Sequence, residues 1–105
     1  MIKALFFDID GTLVSFHTHR IPHSTVESLE KAKKKGLKIF ISTGRPLTYI
    51  NNLDDIKSLI DGYITTNGAY ILVGDKVIAC HAIPKEDVCA MMKFSDERKF
   101  PCILV

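Results

Sequence analysis

The apolar positions of this chain fall into short continuous runs separated by polar segments, and such runs predict strands. Residues 4–7 form a continuous rather than an alternating run, which is typical of a strand covered on both faces in a parallel sheet. Two further runs occupy residues 37–42 and 62–66. Because crossover connections between strands of one sheet are right-handed and return in the same direction, we expect the second strand to lie parallel to the first.

Helical periodicity separates these strands. Residues 24–27 match a capping box, and Gly36 is placed to end the helix that follows. The apolar positions of this helix recur on one face: Val26, Leu29 and Ala32. A second helix is predicted from residue 46 towards residue 60, interrupted near the two asparagines at 51–52. Its core positions are Leu47, Ile50, Leu53 and either Ile56 or Leu59.

The organisation changes after residue 68. Residues 70–73 and 76–80 flank Gly74 and Asp75, which predicts a β-hairpin with a two-residue loop. Pro84 then opens a helix. The apolar face of this helix, assigned to a core by default, consists of Val88, Met91 and Met92.

The last residues predict an incomplete domain. A polar stretch at 95–99 leads into the apolar segment 101–105, which has the pattern of a strand. An apolar strand needs neighbouring strands to cover it, so we expect the chain to be truncated there. With strands and helices alternating, the predicted fold is α/β with a Rossmann-like parallel sheet.

Composition adds little about partners. The 105 residues are 47% apolar and 25% charged with a net charge of +2, which is ordinary for a globular protein and implies no nucleic-acid partner. No apolar run approaches the length of a membrane span. The three cysteines are odd in number and lack Cys-x-x-Cys spacing, which favours reduced thiols and a cytoplasmic location.

Two carboxylates follow the first predicted strand. Asp8 stands at the carboxyl end of that strand, which in open α/β sheets faces the ligand crevice. A carboxylate can attack phosphorus to form an aspartyl-phosphate when a cation screens the phosphate charge. Asp8 is therefore the candidate nucleophile. Asp10 is placed to protonate the leaving oxygen and then to take a proton from the hydrolytic water.

The residues after this pair suit a turn that approaches a ligand. Gly11 permits a sharp turn, and the Thr12 hydroxyl can fix the loop. A calcium loop counted from Asp8 is excluded, because Leu13 stands where glycine is required and His19 where glutamate is required. No dinucleotide fingerprint or P-loop occurs. An ordinary Asp-Gly turn is the remaining alternative.

Polar residues also follow the second and third strands. The Thr43 hydroxyl can donate to a phosphate oxygen, Gly44 allows close approach, and Arg45 is placed to clamp substrate or close the site. Pro46 predicts a helix start whose free amides favour an anion. After the third strand, Asn67 is either a site residue acting through its amide or a turn-forming residue of an Asn-Gly pair.

Three segments carry a resemblance that covers essentially the whole chain. FFDIDGT at 6–12, ISTGRP at 41–46 and TNGA at 66–69 resemble the N-terminal part of haloacid-dehalogenase-superfamily phosphatases of the Cof-type branch. The resemblance implies that residues 1–80 are the N-terminal part of the core and residues 81–105 the beginning of an inserted α/β cap. It also maps Asp8 to the nucleophile, Asp10 to the acid/base and Thr43 to the phosphate-binding hydroxyl.

The same resemblance implies a cofactor and a reaction. In the family Mg²⁺ is held by the carboxylate at the position of Asp8, by the main-chain carbonyl at the position of Asp10 and by an acid on a later strand. That acid and a later lysine have no counterpart here. The implied full-length protein is a bacterial, magnesium-dependent phosphatase of sugar phosphates or similar small metabolites. The alternatives are an inactive fragment or phosphate-binding module, and association with another chain through exposed strand edges.

Overall fold

The computed structural model describes all residues from 1 to 105. Five strands form one sheet whose spatial order follows the chain. The strands are β1 (Ala4–Phe7), β2 (Lys38–Ser42), β3 (Gly62–Thr65), β4 (Tyr70–Val73) and β5 (Lys76–Cys80). The helices are α1 (His23–Lys34) and α2 (Lys85–Arg98), and single 3-10 turns cover Leu47–Tyr49, Lys57–Leu59 and Thr66–Gly68. No helix is both long enough and apolar enough to cross a membrane.

The sheet is mixed. Strands β1, β2 and β3 are parallel, with Phe6 opposite Phe40 and Phe40 opposite Gly62. Strands β3, β4 and β5 are antiparallel, and β4 and β5 are joined by Gly74 and Asp75. The α/β fold class, the parallel first crossover and the hairpin are therefore confirmed, although the sheet is not parallel throughout.

The core lies on one face of the sheet, against α1 and the irregular segment 47–60. The side chains of Ile39 and Ile41 point to this face from β2 and are fully buried, as is Ile9 beyond the end of β1. The other core residues are Leu13, Val14, Ile21, Leu29, Leu53 and Ile56. This packing fixes the carboxyl ends of the parallel strands relative to one another.

The opposite face of the sheet corrects the prediction for the first strand. Phe6 of β1 stacks on Phe40 with ring centroids 5.0 Å apart, yet Phe6 remains 59% exposed. The strand at 4–7 is therefore not covered on both faces in this chain. Gly62 follows in the same row, where an added Cβ would lie 2.9 Å from the Phe40 ring and 2.5 Å from the Leu72 carbonyl oxygen.

Both predicted helices before β3 need correction. Helix α1 begins at His23 after Pro22, and no side chain caps it, so the capping box at 24–27 is wrong. The predicted stop is sound, since Gly36 adopts a left-handed φ of 82°. The helix predicted over 46–60 is wrong and is replaced by two single turns. Asparagine and aspartate at 51–52 and 54–55 can bond their own backbone, which competes with helix formation.

The last third of the chain also differs from expectation. Helix α2 continues through the polar stretch to Arg98, and the predicted strand at 101–105 has no regular secondary structure. The Ser95 hydroxyl is buried and donates to the carbonyl of Phe100. Met91 and Met92 are 51% and 44% exposed, so their assignment to a core is wrong. Helix α2 carries these apolar residues but makes no extensive contact with the sheet.

Asp61, which no sequence motif singled out, ties α1 and β2 to the start of β3. Its Oδ2 accepts hydrogen bonds from Lys33 Nζ at 2.7 Å and from the Ile39 N–H at 2.8 Å. Lys38 Nζ lies 3.7 Å from Oδ1. Burial alone raises the pKa of Asp61, but the two hydrogen bonds and the charges of both lysines outweigh it and bring the pKa below its ordinary value of 3.8.

Replacing Asp61 should therefore change both the stability and its pH dependence. We expect Asp61→Asn to lower the free energy of unfolding at neutral pH by about 1–3 kcal/mol, since a charge-assisted hydrogen bond is weakened. A carboxyl with a lowered folded-state pKa stabilises the fold above its unfolded pKa, and that contribution is lost as the pH falls through the folded pKa. Urea unfolding from about pH 7 to about pH 2 should show a steeper acid loss for wild type than for Asp61→Asn.

The matched control is Asp75→Asn, in the exposed hairpin loop. This variant should reproduce the wild-type dependence of stability on pH. Equal slopes for wild type and Asp61→Asn below about pH 4 would contradict the assignment.

Candidate active site

A cleft of about 610 Å³ opens at the carboxyl ends of the three parallel strands. Its walls come from the residues that end β1, β2 and β3 and from the loops that follow them. The lining residues are Phe6, Asp8, Ser42, Thr43, Gly44, Ile64, Asn67 and Gly68. Parallel strands whose carboxyl ends meet at one edge are the usual setting for ligand binding in α/β proteins.

The turn after β1 is built around a buried isoleucine. The carbonyl of Ile9 accepts hydrogen bonds from the N–H groups of Thr12, Leu13 and Val14 at 3.0–3.2 Å. Gly11 adopts a φ of 77°, a left-handed conformation that favours glycine. A Cβ there would also clash with the tip of the exposed Phe16 ring, which would have to move. The turn therefore holds its flanking aspartates in a fixed frame.

Asp8 projects into the cleft from this frame. Its residue is exposed, and its Oδ1 accepts a hydrogen bond of 2.7 Å from the N–H of Ile9. No cation of the chain pairs with the Asp8 carboxylate. The second oxygen is therefore available to a ligand.

Asp10, by contrast, is paired. The Arg45 guanidinium forms a bidentate ion pair with its carboxylate, with Nε 2.9 Å from Oδ2 and Nη2 2.5 Å from Oδ1. We call this pair the fork. The remaining Nη1 donates to the Tyr49 carbonyl at 3.2 Å. Neither Asp10 nor Arg45 lines the cleft. The fork joins the turn after β1 to the loop after β2.

The loop after β2 presents the hydroxyl of Thr43. Thr43 is buried, and its Oγ1 accepts a hydrogen bond of 3.1 Å from the N–H of Arg45. Because the oxygen acts as acceptor in that bond, the hydroxyl proton is left for a ligand. The helix predicted from Pro46 is only the 3-10 turn Leu47–Tyr49, so its expected contribution to anion binding is a wrong prediction.

The loop after β3 is backbone-strained. Thr66 and Asn67 have φ angles of 51° and 53°, followed by Gly68 at 93°. A left-handed conformation is rare for a β-branched residue such as threonine. Hydrogen bonds from the Thr66 N–H to the Arg45 carbonyl and from the Asn67 N–H to the Thr43 carbonyl hold the segment in place. The Asn67 Oδ1 lies 3.0 Å from where a Cβ on Gly44 would stand.

The structure thus brings together some of the residues predicted for the site. Asp8, Thr43, Gly44 and Asn67 line the cleft, whereas the residues of the fork and the turn, Asp10, Gly11, Thr12 and Arg45, lie beside it. Sequence reasoning missed Phe6, Ser42, Ile64 and Gly68. Strand alternation was the available signal for the first three, since Phe6 shares a face with Asp8, and Ser42 and Ile64 are opposite each other in register.

Two oxygen atoms beside the first turn are candidate ligands for Mg²⁺. The Asp8 carboxylate is unpaired by any cation, and no hydrogen bond ends on the main-chain carbonyl of Asp10. Hard oxygen donors of these two kinds are what Mg²⁺ prefers. The chain contains no group of three or more His, Cys, Asp or Glu side chains that could hold a metal ion. These two oxygens therefore fit Mg²⁺ by donor type, and other ligands would have to complete its shell.

Comparison with known proteins settles the family. The model of the haloacid dehalogenase-like hydrolases matches residues 5–105. The chain belongs to this family. Haloacid dehalogenase-like relatives include YkrA of Bacillus subtilis strain 168, which carries a provisional phosphatase name and is 31% identical over 98% of the chain and 39% of YkrA. Another is the phosphoglycolate phosphatase of Metallosphaera sedula, 27% identical over 89% of the chain and 43% of that protein.

Solved structures of the family agree with these matches. The subclass IIB sugar phosphatase BT4131 is 64% identical and superposes with a TM-score of 0.88 over 98% of the chain and 40% of its own length. A structure from work on a trigonal-bipyramidal intermediate in a phosphoryl-transfer superfamily is 63% identical, with a TM-score of 0.91 over 100% of the chain and 41% of its own. The chain thus spans between 39% and 43% of these relatives. The predicted family resemblance is confirmed.

Proposed function

We propose that the full-length protein hydrolyses phosphate monoesters of sugars or similar small metabolites through a phosphorylated Asp8. The observation that carries this proposal is the cleft shared by Asp8, Thr43 and Gly44. It offers, within one pocket, a nucleophile that no cation pairs with and a hydroxyl with a free proton. The 64% identity to a structure of a sugar phosphatase supports the substrate class.

The proposed reaction has two steps, and Asp10 transfers a proton in each. An Asp8 oxygen attacks phosphorus, and the bond between phosphorus and the leaving oxygen breaks while Asp10 gives that oxygen a proton. Water then attacks the phosphorus of the acyl phosphate and gives a proton to Asp10, while the bond between phosphorus and the Asp8 oxygen breaks, so that inorganic phosphate leaves and the Asp8 carboxylate is restored. Throughout, the Thr43 hydroxyl donates to a phosphoryl oxygen, as does the N–H of Gly44, which makes no hydrogen bond within the chain.

Magnesium would reduce the repulsion between the phosphate and the nucleophile. The Asp8 carboxylate and the Asp10 main-chain carbonyl would hold Mg²⁺, which screens the negative phosphate from the negative nucleophile when it is bound. The three free cysteines, all exposed, support a reducing cytoplasmic setting as part of the same proposal.

A second candidate is a phosphate-binding module without turnover. It is favoured by one observation, the absence of any cluster of three metal-ligating side chains in the chain. Such a module would keep Thr43 and Gly44 as anion ligands but would hold Mg²⁺ poorly. It predicts binding of inorganic phosphate without magnesium-dependent hydrolysis.

One experiment separates the two candidates. The protein is produced from its native gene, its intact mass is compared with the 11.8 kDa of this chain, and phosphate release from a panel of sugar phosphates is measured with and without Mg²⁺. Magnesium-dependent release supports the phosphatase. Binding of inorganic phosphate without release, in a protein of matching mass, supports the module and overturns the phosphatase.

Gly44→Ala tests the cleft itself. Gly44 has no left-handed φ, so alanine is tolerated by the backbone, but its Cβ would stand 3.0 Å from Asn67 Oδ1 and displace that side chain. We expect the affinity for inorganic phosphate, measured by titration calorimetry, to fall by roughly 10-fold, the equivalent of about 1.4 kcal/mol. The thermal midpoint should change little.

The control for this prediction is a background in which the neighbour has been removed. In Asn67→Ala, the further change Gly44→Ala should cost much less affinity, because the displaced amide is absent. Equal losses in both backgrounds would show that the Asn67 contact is not the reason glycine is required.

A further inference from the structure

Asp10 is engaged in a way that conflicts with its proposed part in the reaction. Both carboxylate oxygens accept donors of the Arg45 guanidinium, at 2.9 and 2.5 Å. An ionised carboxylate is an acceptor only, and the planar guanidinium fork is a donor only. In this arrangement both Asp10 oxygens are held by Arg45, and neither side chain lines the cleft. The paired state is therefore not the state that protonates a leaving group.

The position of Arg45 connects this pair to the cleft. Arg45 directly follows Thr43 and Gly44, which line the cleft, and its own N–H is bonded to the Thr43 hydroxyl oxygen. Its carbonyl accepts the N–H of Thr66 from the strained loop on the other side. The main chain of Arg45 is thus fixed at the cleft while its side chain reaches away to Asp10.

The fork is also able to open. The side chains of Asp10 and Arg45 are 43% and 28% exposed, and ion pairs accessible to water contribute little net stability. An anion held by Thr43 and Gly44 would bring negative charge to the base of the Arg45 side chain and compete for its guanidinium. When the pair with Asp10 opens, the guanidinium keeps its hydrogen bond from Nη1 to the Tyr49 carbonyl.

We propose that Arg45 is a positioning residue that holds Asp10 in a paired, non-donating state and releases it when an anion fills the cleft. The inference rests on the proposed phosphatase function for its purpose, since release would make Asp10 available only when substrate is present. Arg45 itself acts through Asp10 and not on the reacting phosphorus. This limits its effect to steps in which a proton moves.

The first experiment measures hydrogen exchange of the Arg45 side chain and does not depend on turnover. In the ¹⁵N-labelled full-length protein, the Arg45 Nε–H signal is identified by its loss in Arg45→Lys, and its exchange with water is measured. We expect exchange at least about 10-fold slower than for the exposed Arg98, and a rise to a comparable rate in Asp10→Ala. Exchange as fast as that of Arg98 in the wild type would overturn the paired state in solution.

The second readout adds a ligand. Orthovanadate is titrated with Mg²⁺ while the Gly44 amide signal reports on occupancy of the cleft. Saturation should raise the Arg45 Nε–H exchange to the level seen in Asp10→Ala. An unchanged rate at saturation would overturn the release, and no response of the Gly44 amide to millimolar orthovanadate would remove the anion site on which the inference depends.

Turnover then separates this inference from the proposed function. Opening of the fork with no hydrolysis of nitrophenyl phosphate would retain the inference and reject the phosphatase. With turnover, Arg45→Lys should weaken the pair and free Asp10 more readily, so kcat for an alkyl phosphate should not fall, and KM and the rate with nitrophenyl phosphate should be nearly unchanged. Arg98→Lys, on α2, is the matched control. An equal loss with both substrates would indicate a general structural role and contradict positioning.

Discussion

Asp8→Asn is expected to reduce phosphatase activity of the full-length protein by roughly 10³-fold or more. The amide is nearly isosteric with the carboxylate and keeps an oxygen that can accept the N–H of Ile9, so the turn should survive. What is lost is the anionic oxygen proposed to attack phosphorus and one proposed ligand for Mg²⁺. The measurement is phosphate release at saturating substrate and saturating Mg²⁺, alongside the thermal midpoint of both proteins.

The matched control for this variant is Asp75→Asn, the same chemical change in the exposed hairpin loop. It should retain wild-type kcat. A second check is chemical: rapid quenching of the wild type during turnover should trap phosphate on a peptide that contains Asp8, and Asp8→Asn should trap none. Persistent turnover by Asp8→Asn with an unchanged thermal midpoint would show that Asp8 is not the nucleophile.

The strands of this fold could be predicted because each is encoded locally. The continuous apolar runs at 4–7, 37–42 and 62–66 are too short for helices and favour strands. The turn at Gly74 and Asp75 fixes the hairpin around it. The segment 46–60 shows where such reasoning fails. Leu53 and Ile56 are buried as a helix would bury them, but an irregular segment with two single turns delivers them to the core equally well. Periodicity alone does not distinguish these cases.

The C-terminal misassignments have a different cause. The apolar face of α2 was assigned to a core because methionine and valine at helical spacing are usually buried. Met91 and Met92 remain exposed because no other element of the chain covers that face. Burial depends on what a helix meets in space, and its own sequence does not carry that information.

The candidate site shows the same division between local and distant effects. Asp8 and Thr43 could be placed near each other from sequence, because each follows a parallel strand of one sheet. The fork between Arg45 and Asp10 could not, since these residues are 35 positions apart and meet through side-chain conformations. Nor does the sequence signal the left-handed backbone of Thr66, which is imposed by its hydrogen bond to the loop after β2.

Asp10→Ala is the variant whose effect should depend most on the substrate. A general acid contributes about 10²–10⁴-fold when the leaving group is a poor one. We therefore expect kcat for an alkyl or sugar phosphate to fall within that range. Nitrophenolate leaves without a proton, so the first step with nitrophenyl phosphate should be much less affected. The measurement is the rate at which each substrate forms the acyl phosphate in wild type and variant, taken from burst kinetics, which separate this step from hydrolysis of the acyl phosphate.

The burst is the decisive part of this comparison. Hydrolysis of the phosphorylated Asp8 needs a base for the attacking water whichever leaving group has departed, so with nitrophenyl phosphate the variant should release one equivalent of nitrophenol rapidly and then turn over slowly. Alanine also frees the Arg45 guanidinium, and Arg45→Lys in the Asp10→Ala background should therefore change neither phase. A uniform loss of both phases with every substrate would show that Asp10 supports the turn and does not transfer protons.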